Sequence, residues 1–195
     1  HEQAYSLQET IAGRISENNT AVKLEINLTP DYIQSLHRIV ITACGTSYNA
    51  ALFGKHLFER LARIHTSVDI ASELRYANPL LDDVLFIAIS QSGETADTLA
   101  AVRLTESYNC KTLAITNVVG SSITRNCDDV VYTRCGPEIG VAATKTFTAQ
   151  LGILYLLAVH FARIRNQITL QETKRLLVGL KRLPLYIKRL LGNTE

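Results

Sequence analysis

The chain has 195 residues, 47% hydrophobic and 19% charged, which allows one ordinary globular domain with a proper core and excludes intrinsic disorder. Twenty basic against 18 acidic side chains leave a formal charge of +2, too mild to argue for nucleic acid or a membrane surface as partner. The cysteines at 44, 110, 127 and 135 form no C-x-x-C pair, so no metal is expected, and reduced thiols in a cytoplasmic setting are the natural reading. The longest apolar helical stretch, Leu151 to Phe161, reads as too short to span a bilayer, and no secretory signal is expected. Methionine is absent and residue 1 is His, so the chain is expected to be a piece of a longer protein.

In chain order, Ala4, Leu7, Ile11 and Ile15 have helical spacing over residues 2–17, ended by Asn18 and Asn19. Asp31 to Leu36 reads as a short helix with Thr29 as cap and Pro30 at its first position. Arg38 to Ala43 is a first strand and Tyr48 to Ala62 a helix; Thr66 to Ala71 is a second strand, followed by irregular chain through Pro79. Val84 to Ile89 is continuously apolar, as a strand covered on both faces should be, and Ala96 to Glu106 is the next helix. Lys111 to Thr116 is a fourth strand, Ser121 to Arg125 a short helix and Val130 to Thr133 a fifth strand. A loop over 136–141 leads to a long helix from about Thr144 to Arg163.

This alternation predicts an α/β fold: a three-layer αβα sandwich of flavodoxin-like kind around a mainly parallel five-stranded sheet, with extra helices at both ends. The expected division is a lead-in over 1–30, the sandwich over 31–165 and a helical connector over 166–195. From Thr169 to Leu191 the leucines at 170, 176, 177, 180, 183, 190 and 191, with Ile187, form an apolar face interrupted by Pro184. Lys174, Arg175, Lys181, Arg182, Lys188 and Arg189 line the rest, which reads as a solvated face. The apolar face reaches beyond the sheet domain, so the connector is expected to pack against something outside this chain.

Two segments carry the chemistry: Ala43-Cys44-Gly45-Thr46-Ser47 and Ile89-Ser90-Gln91-Ser92-Gly93-Glu94-Thr95. Each follows an apolar strand and opens a helix. Free N–H groups at a helix start favour a phosphate, and glycine lets the backbone turn tightly beside it. Neither turn contains Lys or Arg, so the grip would come from dipoles and hydroxyls, which points to a sugar phosphate. One such turn alone could be only a Ser/Thr cap. Two at strand-to-helix junctions can converge, because a parallel sheet puts all its strand C-termini on one edge. Neither gives G-x-G-x-x-G, which removes a dinucleotide-binding reading. Cys44 could have its thiol activated at a helix start, or be a small buried hydrophobe.

These turns, with Ala96-Asp97-Thr98 after the second and Pro137-Glu138-Ile139-Gly140-Val141-Ala142-Ala143-Thr144-Lys145, together resemble the isomerase half of glutamine–fructose-6-phosphate aminotransferases, or glucosamine-6-phosphate synthases. Gly120-Ser121-Ser122, Ala71-Ser72-Glu73, Glu2-Gln3 and Thr10-Ile11-Ala12-Gly13-Arg14 match as well. The chain looks like the first of that family's two sugar isomerase (SIS) subdomains, in a parent that also carries a glutaminase domain. The resemblance implies binding of fructose 6-phosphate or glucosamine 6-phosphate through Thr46, Ser47, Ser90, Gln91, Ser92 and Thr95. Val141 and Ala143 would lie against the sugar carbons, with alanine at 143 where the family has serine. It also implies a homodimer, no cofactor, no nucleic acid, no membrane, and no catalytic residue here, since the family's catalytic Glu, His and Lys lie elsewhere in its longer chain.

Two other readings stay open: a sugar-phosphate-sensing SIS module without chemistry, and a stand-alone aldose–ketose phosphate isomerase. Glu94 beside a phosphate would be repulsive, so it is expected to face a backbone N–H or a partner subunit. Lys145 is misplaced at a helix start, which leaves two readings, an ion pair with Glu138 or simply a solvated side chain. His37, His56 and His65 read as structural or surface residues, and Asp97 and Thr98 as helix-opening residues.

Overall fold

The computed structural model describes residues 2–140 and 142–192. Helix α1 (Gln3–Ile11) and the short α2 (Pro30–Ser35) precede strand β1 (Arg38–Ala43) and α3 (Thr46–Leu57), which ends in a π turn over Phe58–Ala62. Then come β2 (His65–Ile70), α4 (Ala71–Leu74), β3 (Leu85–Ser90), α5 (Ala96–Leu104), β4 (Lys111–Thr116), α6 (Ser122–Asn126) and β5 (Asp129–Tyr132). Two long helices, α7 (Lys145–Ile164) and α8 (Leu170–Gly192), complete the chain.

All strand pairs are parallel and the sheet order is β2-β1-β3-β4-β5. β3 lies at its centre with every residue buried, which explains its unbroken apolar run. Alternate side chains serve opposite layers, as the two-residue period of a strand requires. Ile39, Ile41, Leu85, Ile87 and Ile89 pack with residues of α1, α3, α7 and α8, whereas Val40, Phe86 and Ala88 pack with residues of α4, α5 and α6. The result is a three-layer α/β sandwich.

The order 2-1-3-4-5 makes β1 and β3 neighbours whose following helices, α3 and α5, cover opposite faces of the sheet. That is a topological switch point, where a crevice opens beyond the strand C-termini. Ala43 pairs with Ile89, so β3 ends one residue beyond β1 and the two turns leave the sheet side by side.

Three sequence expectations need correction. α1 ends at Ile11 rather than reaching residue 17: Ala12 leaves the helix at ψ 129° and Gly13 turns at φ +72°. Ile15 is buried all the same, through an antiparallel bridge to Val22, so the apolar spacing continued without the helix. α8 runs unbroken through Pro184. Its Thr173, Leu177, Leu180 and Pro184 are buried along one face, and the helix packs against α1 and α7, leaving Leu183, Leu185, Tyr186 and Leu190 exposed. α7, which holds the Leu151 to Phe161 stretch, has 20 residues and is long and apolar enough to cross a membrane by length and composition. Most of it is buried against α1 and α3, the burial of a core helix.

Candidate functional site

The chain leaves β1 through Cys44 and Gly45, whose φ of +57° and ψ of −135° suit glycine alone. α3 begins at Thr46, earlier than the expected Tyr48, so Thr46 and Ser47 occupy its first turn, where N–H groups lack intrahelical acceptors. β3 continues through Gln91 and Ser92 to Gly93 at φ +68°, and Thr95 caps α5. Thr46, Ser47, Ser90, Gln91, Ser92 and Thr95 line one cavity of about 200 Å³, joined by Cys44, Glu138, Gly140 and Ala143. Val141 lies outside the described residues. The volume is below the roughly 300–1,000 Å³ usual for whole-ligand pockets, which fits a cradle for one end of a small molecule.

Hydrogen bonds inside the turns fix where the hydroxyls stand. Ser90 Oγ accepts the Gly93 N–H at 3.0 Å and lies 2.9 Å from Thr95 Oγ1. Ser92 Oγ accepts the Glu94 N–H at 3.2 Å. The second turn is moored from outside: the Asn117 N–H donates to the Gln91 carbonyl at 3.0 Å and the Ile123 N–H to the Gly93 carbonyl at 3.0 Å. In the first turn, Ser47 Oγ accepts a hydrogen bond from Gln150 Nε2 on α7 at 2.9 Å. Gln150 carries no local signal in the sequence, standing among Lys145, Thr146 and Thr148 just before the apolar stretch.

No Lys or Arg lines this cavity among the described residues. Its two carboxylate neighbours are both engaged elsewhere. Glu94 turns to α6, where Oε1 accepts the Ser122 N–H at 2.7 Å, and the hydrogen bonds from Ser122 hold its carboxyl below the usual range. Glu138 spans the start of α7, accepting the N–H groups of Thr144 at 2.8 Å, Lys145 at 3.0 Å and Thr146 at 3.3 Å, and the Thr146 hydroxyl. Burial pushes the Glu138 carboxyl up, but these bonds outweigh it and leave its pKa lowered. Lys145 therefore does not pair with Glu138 through its ammonium; Nζ reaches Glu2 Oε2 at 2.9 Å, and Glu138 takes only its backbone N–H. Asp97 lies 3.8 Å from Arg75, and Thr98 is buried.

His37, His56 and His65 stand away from the cavity, and His160, the other described histidine, lies on α7 with its pKa lowered by burial. Among the described residues the lining offers donors that suit an oxyanion and no unengaged His, Lys or carboxylate for proton transfer. A larger cleft of about 380 Å³ lies beside Arg14, Lys23 and Glu25 at the β5 edge, but no strand-to-helix turn opens into it.

A parallel α/β sandwich whose hydroxyl-rich turns meet at its switch point belongs to the doubly wound α/β class, in which that crevice is where ligands bind. Within that class the chain belongs to the SIS domain family, whose model matches residues 32–160. It is 55% identical over its whole length to the glutamine–fructose-6-phosphate aminotransferase (isomerizing) of Methanosarcina acetivorans, covering 32% of that protein. The same enzyme of Caldanaerobacter subterraneus subsp. tengcongensis is 44% identical, with 100% of this chain and 32% of that protein covered. Among solved structures, the C-terminal domain of glucosamine-fructose-6-phosphate aminotransferase from Francisella tularensis superimposes with a TM-score of 0.88 at 37% identity. That match covers 94% of this chain and 52% of the other. The chain thus spans about a third of the length of the curated relatives it matches.

Proposed function

We propose that the chain binds the phosphate end of a hexose phosphate as the first of two SIS units in an enzyme of the glutamine–fructose-6-phosphate aminotransferase kind. The reaction would aminate fructose 6-phosphate at C2 and isomerise the product to glucosamine 6-phosphate. Thr46, Ser47, Ser90, Gln91, Ser92 and Thr95 would donate to the phosphate, while Val141 and Ala143 would meet the sugar carbons. Residues 31–165 would form the binding unit, 1–30 its lead-in, and 166–195 the connector toward the second SIS unit. A glutaminase domain in the parent would supply ammonia, and a homodimer would complete the assembly.

The observation that carries this reading is the convergence of both turns on one cavity without a cation. Phosphate esters are held well by N–H groups at helix starts, and neutral donors suit a ligand that must later leave. Alanine at 143 would cost little if the contact there is made by the backbone, and would lower sugar affinity if it needs a hydroxyl. The proton transfers between C1 and C2 need an acid/base held within hydrogen-bond reach, and imine chemistry needs a lysine. The cavity lining supplies neither unengaged, so this chain alone would bind without turnover.

Calorimetric titration of the chain with fructose 6-phosphate, glucosamine 6-phosphate, arabinose 5-phosphate and inorganic phosphate tests the reading. Preference for the two hexose phosphates is the expected result. Equal weak binding of all four would reduce the site to a generic phosphate cradle, and no binding would remove the proposal for this chain.

A further inference from the structure

Gln150 is 1% exposed, in the second turn of the most apolar helix, 103 positions from the serine it touches. Nothing about packing calls for an amide there. Its Nε2 donates to Ser47 Oγ at 2.9 Å, and its Oε1 is buried with no hydrogen-bond partner among the described residues. A buried orphan acceptor is a standing cost that an apolar side chain of the same shape would avoid.

Resting on the reading above, we propose that Gln150 is a positioning residue that sets the direction of the Ser47 hydroxyl. A serine hydroxyl has one proton to give and lone pairs to receive with. With the amide N–H occupying a lone pair of Ser47 Oγ, the hydroxyl proton is left for the cavity, where Ser47 is a lining residue. The chain of bonds then runs from the Gln150 amide through the Ser47 hydroxyl to a phosphate oxygen, each bond polarising the next. The opposite amide orientation would take the hydroxyl proton into Oε1 and present lone pairs to the anion. It would also bury an NH2 without a partner in place of an oxygen, the rarer arrangement in folded proteins. The orphaned Oε1 is thus the counterpart of a hydroxyl that points outward as a donor.

The test is a double-mutant cycle on fructose 6-phosphate affinity, with folding of each variant checked by thermal unfolding. Gln150→Met keeps length and volume without the amide, and is expected to weaken binding about three- to tenfold, a typical hydrogen-bond loss. In a Ser47→Ala background the same change is expected to alter affinity by no more than about twofold, the limit of simple additivity. Gln150→Glu adds a readout that packing would not move. Its introduced carboxyl, when protonated, can donate to Ser47 as the amide does; when ionised it accepts the hydroxyl proton and repels the anion. Its affinity relative to the unchanged chain should therefore fall as pH rises, the ratio cancelling titration of the ligand itself. A Gln150→Met penalty that persists in full beside Ser47→Ala, or a pH-independent ratio for Gln150→Glu, would overturn the inference and leave the binding site standing. Failure of the unchanged chain to bind fructose 6-phosphate would overturn the proposed function, and this inference with it.

Discussion

A Cβ placed on Gly93 would stand 2.7 Å from the Cβ of Ser121 and 2.9 Å from Cγ2 of Ile123. The second turn is thus pressed against the start of α6, which itself donates the Ile123 N–H back to the Gly93 carbonyl. Glycine at 93 is required twice, for its φ of +68° and for this close approach. Gly93→Ala should lower stability by at least about 2 kcal/mol, since left-handed strain alone costs roughly 1–3 kcal/mol. Gly120 has φ +73° with nothing within 4 Å of a built Cβ, so Gly120→Ala measures the strain without the crowding. Urea unfolding of the two variants should show Gly93→Ala the weaker, and equal losses would mean that α6 simply moves away.

The serines of this turn divide their work differently. Ser90 is buried and holds the Gly93 N–H, so Ser90→Ala orphans a buried donor and should cost about 1–3 kcal/mol of stability as well as affinity. Ser92 is more open and accepts only the Glu94 N–H, at 3.2 Å among the described contacts. Ser92→Ala should leave stability nearly unchanged but weaken sugar-phosphate binding by roughly 1.5–3 kcal/mol, the worth of a hydrogen bond to a charged group. Parallel titration and unfolding of both variants check this, and unaltered affinity in Ser92→Ala would remove the hydroxyl argument for that turn.

How much of this was legible beforehand follows from what each residue depends on. β1 and β4 could be bounded to the residue, and Thr29 caps α2 through the Tyr32 N–H as its Thr-Pro start implies. Such signals are local. The turns, too, announce themselves, because a hydroxyl-rich glycine turn directly after a buried strand is a local pattern. At Ile15 the apolar spacing marks burial rather than helicity, since it survives the end of α1. The partner of Lys145 is not legible locally, because Glu138 is engaged by the backbone of the α7 N-terminus and Glu2 lies 143 positions away. Gln150 was invisible for the same reason: its meaning rests entirely on a serine in another element.

Glu138 links acid stability to the cavity wall. Its folded pKa is lowered from the ordinary 4.5, so it stabilises the fold above that value, and the contribution disappears as pH falls through the lowered one. Glu138→Gln keeps a carbonyl oxygen for α7 but removes the charge that suits a helix N-terminus. The unchanged chain should exceed this variant by about 1 kcal/mol near neutrality, a usual helix-cap margin. The gap should close as the solution is acidified below 4.5. Glu94 and Glu172 share the depressed direction, so the difference between the two proteins, not either curve alone, isolates Glu138. A gap that stays constant with pH would show that shape and not charge secures the start of α7.

Arg165, just past α7, gathers four backbone carbonyls: Ala62 through Nε at 3.0 Å, and Ile33, Gln34 and Leu36 through one terminal nitrogen at 2.9, 2.8 and 2.7 Å. Two of these belong to the last turn of α2, one follows it, and Ala62 ends the π turn after α3, so a single guanidinium closes two helix ends. Carbonyls at helix C-termini lack intrahelical donors and favour a cation. Arg165→Met should destabilise by about 2–4 kcal/mol, since bonds to charged donors are each worth about 1.5–3 kcal/mol but are not additive. For a chain of this size that is roughly a 5–15 °C fall in Tm. Arg165→Lys should recover only a minor part, because an ammonium on a flexible stem lacks the planar fork that reaches both sites at once. The cluster lies before β1 and the cavity beyond its far end, so sugar-phosphate affinity measured well below Tm should not change. A loss of affinity matching the loss of stability would instead mean that the alignment of α3 depends on how its distant end is fastened.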